Sequence, residues 1–174
     1  MKYEIGSLLP LYLWAFLVVC LINAGCWKYS TSAQAIPSGI KTVAVPLFED
    51  TSVETGIKEQ LTDAIVSRFI ANNQLRVVDV RDADALIAGV ILNVREESLT
   101  FGQGQSAREG RIWITVQVRF EDVRNRKVIW EEPRMEVFGV YAIQTGTQEE
   151  REPGITAAIA KMAEDILNKT VAGW

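Results

Sequence analysis

From Ile112 to Phe120 the chain alternates without a slip. Ile112, Ile114, Val116, Val118 and Phe120 are apolar; Trp113, Thr115, Gln117, Arg119 and the following Glu121 make up the other set. A period of two sends successive side chains to opposite faces of a strand, so this segment offers one face to a core and the other to water or a partner. A single strand cannot bury its apolar face alone. The rest of the chain must supply the elements that cover it.

Two amphipathic segments are suited to do so. Ile57, Leu61, Ala64, Ile65 and Phe69 recur at spacings of three and four, the stripe of a helix. A T-x-x-E capping box, Thr51 to Glu54, is expected to open it, and Asn72-Asn73 to end it. Ile155, Ile159, Met162, Ile166 and Leu167 make a second stripe, with Pro153 in the first turn and an end expected near Gly173. Between them lie strand patterns. Lys41 to Phe48 is an apolar run in which Pro46 implies either an edge position or a place beyond the paired part. Leu75 to Asp79 is short. Leu86 to Val94 is apolar on both faces, which predicts a central strand. Leu99 to Gly110 forms a glycine-rich loop before the alternating strand. After it, Asp122 to Arg126 reads as a turn, with Asn125 suited to a positive φ. Lys127 to Trp130 and Arg134 to Tyr141 then return, with a bulge or break expected at Pro133. The order β-α-β-β-β-β-α predicts an α+β fold with two helices packed on one face of a four- to five-stranded mixed or antiparallel sheet. Trp113, Thr115, Gln117 and Arg119 then lie on the opposite, partly open face.

The N-terminal segment is of a different kind. An apolar run from Leu8 to Ile22 is too short and too near the start to read as an ordinary membrane span. Leu21-Ile22-Asn23-Ala24-Gly25-Cys26 resembles a bacterial lipobox, which implies cleavage before Cys26 and a lipid on its thiol. Cys20 follows Val18-Val19, a poor fit for that cleavage. An uncleaved signal anchor, or a plain secretory signal, is the alternative. The expected organisation is a signal peptide over residues 1–25, a tether over 26–39 and a folded domain over 40–174. Trp27 and Tyr29 either rest at headgroup depth or are exposed tether residues.

Composition narrows the function. The chain carries 18 basic and 22 acidic residues. Removing Lys2 and Glu4 with the signal leaves 17 and 21, still a net charge of −4. Such a chain has no global field to draw it to nucleic acid. There is no histidine, and a lipidated Cys26 leaves no thiol, so no metal site, cofactor or nucleophile–base pair is expected. The pairs Glu96-Glu97, Glu131-Glu132 and Glu149-Glu150 read as solvated strand and helix ends, and no catalytic residue emerges. The expectation is a binding protein. Two basic groups can hold an anion: Arg108 and Arg111 beside the glycine-rich loop, and Arg124, Arg126 and Lys127 at the turn. Solubilising charge is the plainer reading of the turn group.

Several strings together carry a family resemblance. Gly25-Cys26-Trp27-Lys28-Tyr29-Ser30 and Ala35 to Asp50 resemble the start of LptE-type lipopolysaccharide-assembly lipoproteins. Leu75-Arg76-Val77-Val78, Ala83 to Gly89, the Ile112–Phe120 strand, Val128-Ile129-Trp130-Glu131 and the last helix follow in the matching order. The resemblance implies an outer-membrane lipoprotein on the periplasmic side, lipid-anchored to the membrane. It would plug and help assemble an LptD-like β-barrel and take part in lipopolysaccharide delivery. It further implies lipopolysaccharide contacts near the loop before the alternating strand, where Arg108 and Arg111 stand, and near the start of the last helix, where Arg151 stands. The competing expectation is a lipoprotein docking domain that activates or scaffolds a cell-wall synthase or secretion complex.

Overall fold

The structure, a computed structural model, describes residues 36–100, 108–144 and 147–171. Six strands form one sheet: β1 (Thr42–Ala44), β2 (Glu49–Asp50), β3 (Arg76–Val77), β4 (Ala85–Thr100), β5 (Arg108–Asp122) and β6 (Lys127–Ile143). Two helices accompany them, α1 (Ile57–Asn72) and α2 (Glu152–Val171). The strand order is β3-β1-β4-β5-β6, with β2 also pairing β4. The first three strands run parallel to their neighbours, whereas β4, β5 and β6 form a long antiparallel meander. The α+β expectation holds, with one strand more than foreseen.

The alternating segment does what its period requires. Ile112, Ile114, Val116, Val118 and Phe120 are fully buried, together with Leu61, Ile65 and Phe69 of α1 and Ala158, Met162 and Ile166 of α2. Removing each large apolar side chain from water contributes about 1.5–3 kcal/mol, so this shared layer holds both helices to one face. At the far end of α2, Lys169 Nζ pairs with Glu132 at 2.9 Å and sits 5.7 Å from the Trp130 ring.

Pro46 lies beyond the paired part of its strand. β1 is flanked by β3 and β4, so it is not an edge; pairing stops at Ala44. The chain then loops inward, buries Phe48, and returns to β4 as β2. Glu49-Asp50 therefore adds a strand where the sequence suggested only an ending. The capping-box expectation fails. α1 opens at Ile57 behind Gly56, whose φ of 81° makes it the natural hinge. The Thr51 hydroxyl instead donates to the Ile91 carbonyl at 2.8 Å, and Glu54 is drawn to Arg151 at 3.0 Å. The close of α1 is as expected: Asn73 takes φ 57° and its N–H donates to the Phe69 carbonyl. In the β5–β6 turn the positive φ belongs to Arg126, at 50°, and not to Asn125. Asn125 is occupied by the Asp122 carboxylate, which accepts from its N–H at 2.9 Å and its side-chain amide at 2.8 Å. The described part of α2 reaches Val171; Gly173 lies outside the described residues.

Three register slips shape the meander, one of them at Ile129 of β6, between the Phe120–Trp130 and Glu121–Val128 pairs. At Leu92 the β4 register slips, so Val94 turns to the core while Asn93 and Arg95 turn away. At Pro133-Arg134 the β6 register slips opposite Gln117, confirming a bulge within one continuous strand. Each slip reverses which parity faces the helices, because the side-chain period is two.

Candidate functional site

Both helices lie on one face of the sheet, and the opposite face of β4, β5 and β6 carries a built arrangement of charge and aromatic surface. Arg95 sits over the Trp113 ring, Cζ to centroid 4.5 Å. Trp113 meets Phe138 at 4.8 Å between centroids, and Arg111 Cζ lies 5.1 Å from the Phe138 ring. The register explains the stack. Arg95, Trp113 and Phe138 are direct neighbours across three strands, with Arg111 and Val140 in the next row. A guanidinium over an aromatic face contributes about 0.5–1 kcal/mol at exposed positions and holds the cation in place.

Carboxylates complete the surface. Glu97 accepts from the Trp113 indole at 2.9 Å. Glu136 accepts from the Thr115 hydroxyl at 3.1 Å and faces Arg95 at 3.5 Å and Arg134 at 3.7 Å. Gln117 donates to Glu131 at 3.1 Å, and Arg119 pairs with Glu121 at 3.1 Å. Thr115 departs from expectation: it is buried, because Glu136 and the two neighbouring strands close over it. Phe138 and Val140 remain 38% and 43% exposed. Below this row Glu49, Ala88, Gly89, Val90, Gln117, Arg119 and Glu131 line a shallow open cleft. The face is thus polar, hydrogen-bonded and studded with aromatic and arginine groups, the residue types enriched at protein interfaces.

The basic residues singled out by sequence do not form one cluster. Arg111 lies on the open face, and its Nε is buried without a hydrogen-bond partner in the described structure. Arg108 begins β5, opposite Thr100 and Ile143; its side chain lies outside the description. Arg151 stands on the helix face, in the short turn before α2. Its guanidinium pairs with Glu54 at 3.0 Å and Glu96 at 3.1 Å and is 18% exposed. Glu96 also accepts the Tyr141 hydroxyl. Burial, then the Glu96 carboxylate, push the Tyr141 phenol up to about 12. Arg151 therefore joins β4, α2 and the segment before α1.

The turn cluster lies at the other end of the meander. Arg124 pairs with Asp84, whose carboxylate also accepts the Lys41 N–H at 2.9 Å and the Thr42 N–H at 3.1 Å. These bonds, the Lys41 amide foremost, hold Asp84 below its ordinary 3.8. The Asn125 contacts lower Asp122 likewise. Arg126 is exposed, and Lys127, exposed as well, opens β6 opposite Asp122. Cys26 lies outside the described residues. Arg95, Phe138 and Glu136 were not foreseen as site residues. Arg95 is brought to this face by the Leu92 bulge, and the only hint is that a continuous period would have sent Val94 outward and left Asn93 and Arg95 facing the core.

A family model described as "LptE: Lipopolysaccharide-assembly" matches residues 40–170. Curated protein sequences contain no match to this chain. Among solved structures, a Xanthomonas campestris protein superposes with a TM-score of 0.50 at 12% identity, over 78% of this chain and 88% of its own. A minor lipoprotein from Acinetobacter baumannii gives 0.49 at 16% identity, over 75% and 90%. PelC from Paraburkholderia phytofirmans, solved as a dodecamer, gives 0.43 at 17% identity, over 70% and 84%. The likeness to the Xanthomonas protein is one of fold.

Proposed function

The chain belongs to the LptE lipopolysaccharide-assembly family, a non-enzymatic one, and from that premise we propose that it is an outer-membrane lipoprotein that plugs and helps assemble an LptD-like β-barrel. In that place it takes part in delivering lipopolysaccharide to the cell surface. Lipid on Cys26 anchors it at the periplasmic side. The observation that carries this reading is the match over residues 40–170, which takes in the sheet and both helices. The physical support is the open face. A barrel lumen is polar, and a plug inside it needs a polar, internally hydrogen-bonded surface over a self-sufficient core. Trp113, Gln117, Arg119, Glu97 and Glu136 supply that surface while the helices complete the core behind it.

Within this reading Arg108 and Arg111 contact the phosphates of lipopolysaccharide, since guanidinium groups bind phosphate bidentately. Arg111 suits the role because it stands on the open face, its guanidinium carbon 5.1 Å from the Phe138 ring. Arg151 acts differently: held by two carboxylates, it positions the start of α2. Arg126 and Lys127 are proposed headgroup or partner contacts at the far turn, with Arg124 fixed by Asp84.

The test is an affinity pull-down of the lipidated protein from detergent-solubilised envelopes, with mass identification of what co-purifies. A large outer-membrane barrel at near-equal stoichiometry is expected. Recovery of a cell-wall synthase, or of the bait alone, would overturn the reading. Replacing Arg108 and Arg111 with glutamate is expected to weaken lipopolysaccharide binding and leave the unfolding midpoint in place; unchanged binding removes them from the contact set.

A further inference from the structure

β6 is an edge strand of 17 residues, and among the described residues no strand pairs with its outer side. Long bare edges invite strand addition, and proteins blunt them with charge, proline and bulges. β6 is blunted over only half its length. Lys127 to Glu136 holds Lys127, Glu131, Glu132, Arg134 and Glu136, with Pro133 in the bulge. Val137-Phe138-Gly139-Val140-Tyr141-Ala142-Ile143 has no charge, no proline and no register slip. Its alternate residues Val137, Gly139 and Tyr141 are buried on the helix side, so the segment is held straight. Phe138 and Val140, on the open side, are 38% and 43% exposed. This half presents unpaired backbone groups and an apolar row together.

The charge pattern specifies the occupant. We propose that Val137–Ile143 is a self-pairing edge, at which a second copy of this chain adds its own β6 antiparallel across a two-fold axis at Val140. In such a pair, residues directly opposite share a face, so the register moves in steps of two. Centring on Val140 sets all seven uncharged residues opposite one another, with Phe138 against Ala142 and Gly139 against Tyr141 of the second copy. Centring on Gly139 sets Glu136 against Ala142, and centring on Phe138 sets Glu136 against Val140 and Arg134 against Ala142, each placing charge beside apolar groups. Centring on Glu136 sets two carboxylates face to face, which is repulsive. The charged half thus acts as the register stop. Seven residues span about 23 Å at the strand rise, a full-length pairing by the standard of ordinary sheets. The self-paired form is that of the chain without a partner, and its existence does not depend on the plug reading.

Sedimentation of the full-length protein in detergent, with no barrel or lipopolysaccharide present, tests this over a concentration series. A monomer–dimer equilibrium is expected. Val140→Lys places like charges opposite each other on the exposed side and is expected to weaken association at least ~tenfold with an unchanged circular dichroism spectrum. Val140→Cys, whose two copies then meet on the axis, is expected to form an intermolecular disulfide that neither the unsubstituted chain nor Glu132→Cys forms. A monomer at every concentration overturns the proposal, and so does a dimer indifferent to Val140→Lys or no disulfide from Val140→Cys. Pull-down of a barrel would be untouched by any of these failures.

Discussion

Gly139→Ala is the sharpest structural test, because α2 crosses β6 directly on that glycine. A Cβ built on Gly139 overlaps the Gly154 carbonyl oxygen and stands 2.8 Å from the Ala158 nitrogen. Both are backbone atoms of α2, so neither can rotate aside, and the helix itself must lift. Overpacking a tight contact costs about 1–3 kcal/mol, and backbone obstacles put this case at the upper end. Replacing glycine with alanine returns about 0.4–1 kcal/mol by restricting the unfolded chain. The net expectation is a loss of about 2 kcal/mol. At a urea slope of about 2 kcal/mol per molar, the midpoint falls by about 1 M. Gly154→Ala is the internal control. Its Cβ meets only side chains, Tyr141 Cδ1 at 3.0 Å and Ile112 Cγ1 at 3.3 Å. The helix-propensity gain of up to about 1 kcal/mol offsets that crowding, leaving the midpoint nearly unmoved. Equilibrium urea unfolding by circular dichroism reads both. An unchanged midpoint for Gly139→Ala, or a larger fall for Gly154→Ala, refutes the packing of α2 on β6.

Arg151→Gln leaves Glu54 and Glu96 facing each other without their shared cation. A loss of about 1–2 kcal/mol is expected in the same assay, below a fully buried pair because Glu96 is partly exposed; no loss would show the turn before α2 to be held otherwise. Asp84 sits below 3.8 in the folded state, so its stabilisation is complete above the unfolded value and lost as pH falls through the folded one. Thermal midpoints are therefore expected to drop below about pH 4, and Asp84→Asn to start lower but fall less steeply; parallel curves would contradict this. Tyr141, raised to about 12, contributes stability fully below pH 10 and loses it as pH rises through 12. A tyrosinate absorption step is expected near pH 12, and Tyr141→Phe is expected to abolish it; the absence of that step would contradict the Tyr141–Glu96 contact. Trp113→Leu removes the stack between Arg95 and Phe138 and is expected to cost partner binding more than stability, read by pull-down beside urea unfolding.

The meander was legible because its signals are local. An unbroken period of two marked Ile112–Phe120, and a stripe at three and four marked each helix; both survive because the buried layer enforces the pattern. The misreadings arise where a distant partner outbids a local preference. Thr51 and Glu54 have the spacing of a capping box, but the Ile91 carbonyl takes the hydroxyl and Arg151, distant in sequence, takes the carboxylate. Asn125 favours positive φ in isolation, yet Asp122 holds it and passes that strain to Arg126. The parallel return at Glu49-Asp50 exists only because β4 offers a second stretch of edge. The candidate site divides the same way. Trp113, Gln117 and Arg119 follow from the alternation, whereas Arg95 reaches the open face through a bulge that no turn residue announces. Arg111 and Arg151, adjacent in function by resemblance, are separated by the sheet itself.

The central claim is that the helix-free face of β4, β5 and β6 meets the partner. Site-specific photocrosslinking in intact envelopes tests it most directly, with the photoreactive residue placed at Trp113 on the open face or at Ser67 on the solvent side of α1. A crosslink from Trp113 to a large outer-membrane barrel, with none from Ser67, is the expected result. A barrel crosslink from Ser67 alone, or a cell-wall synthase captured from Trp113, would contradict it.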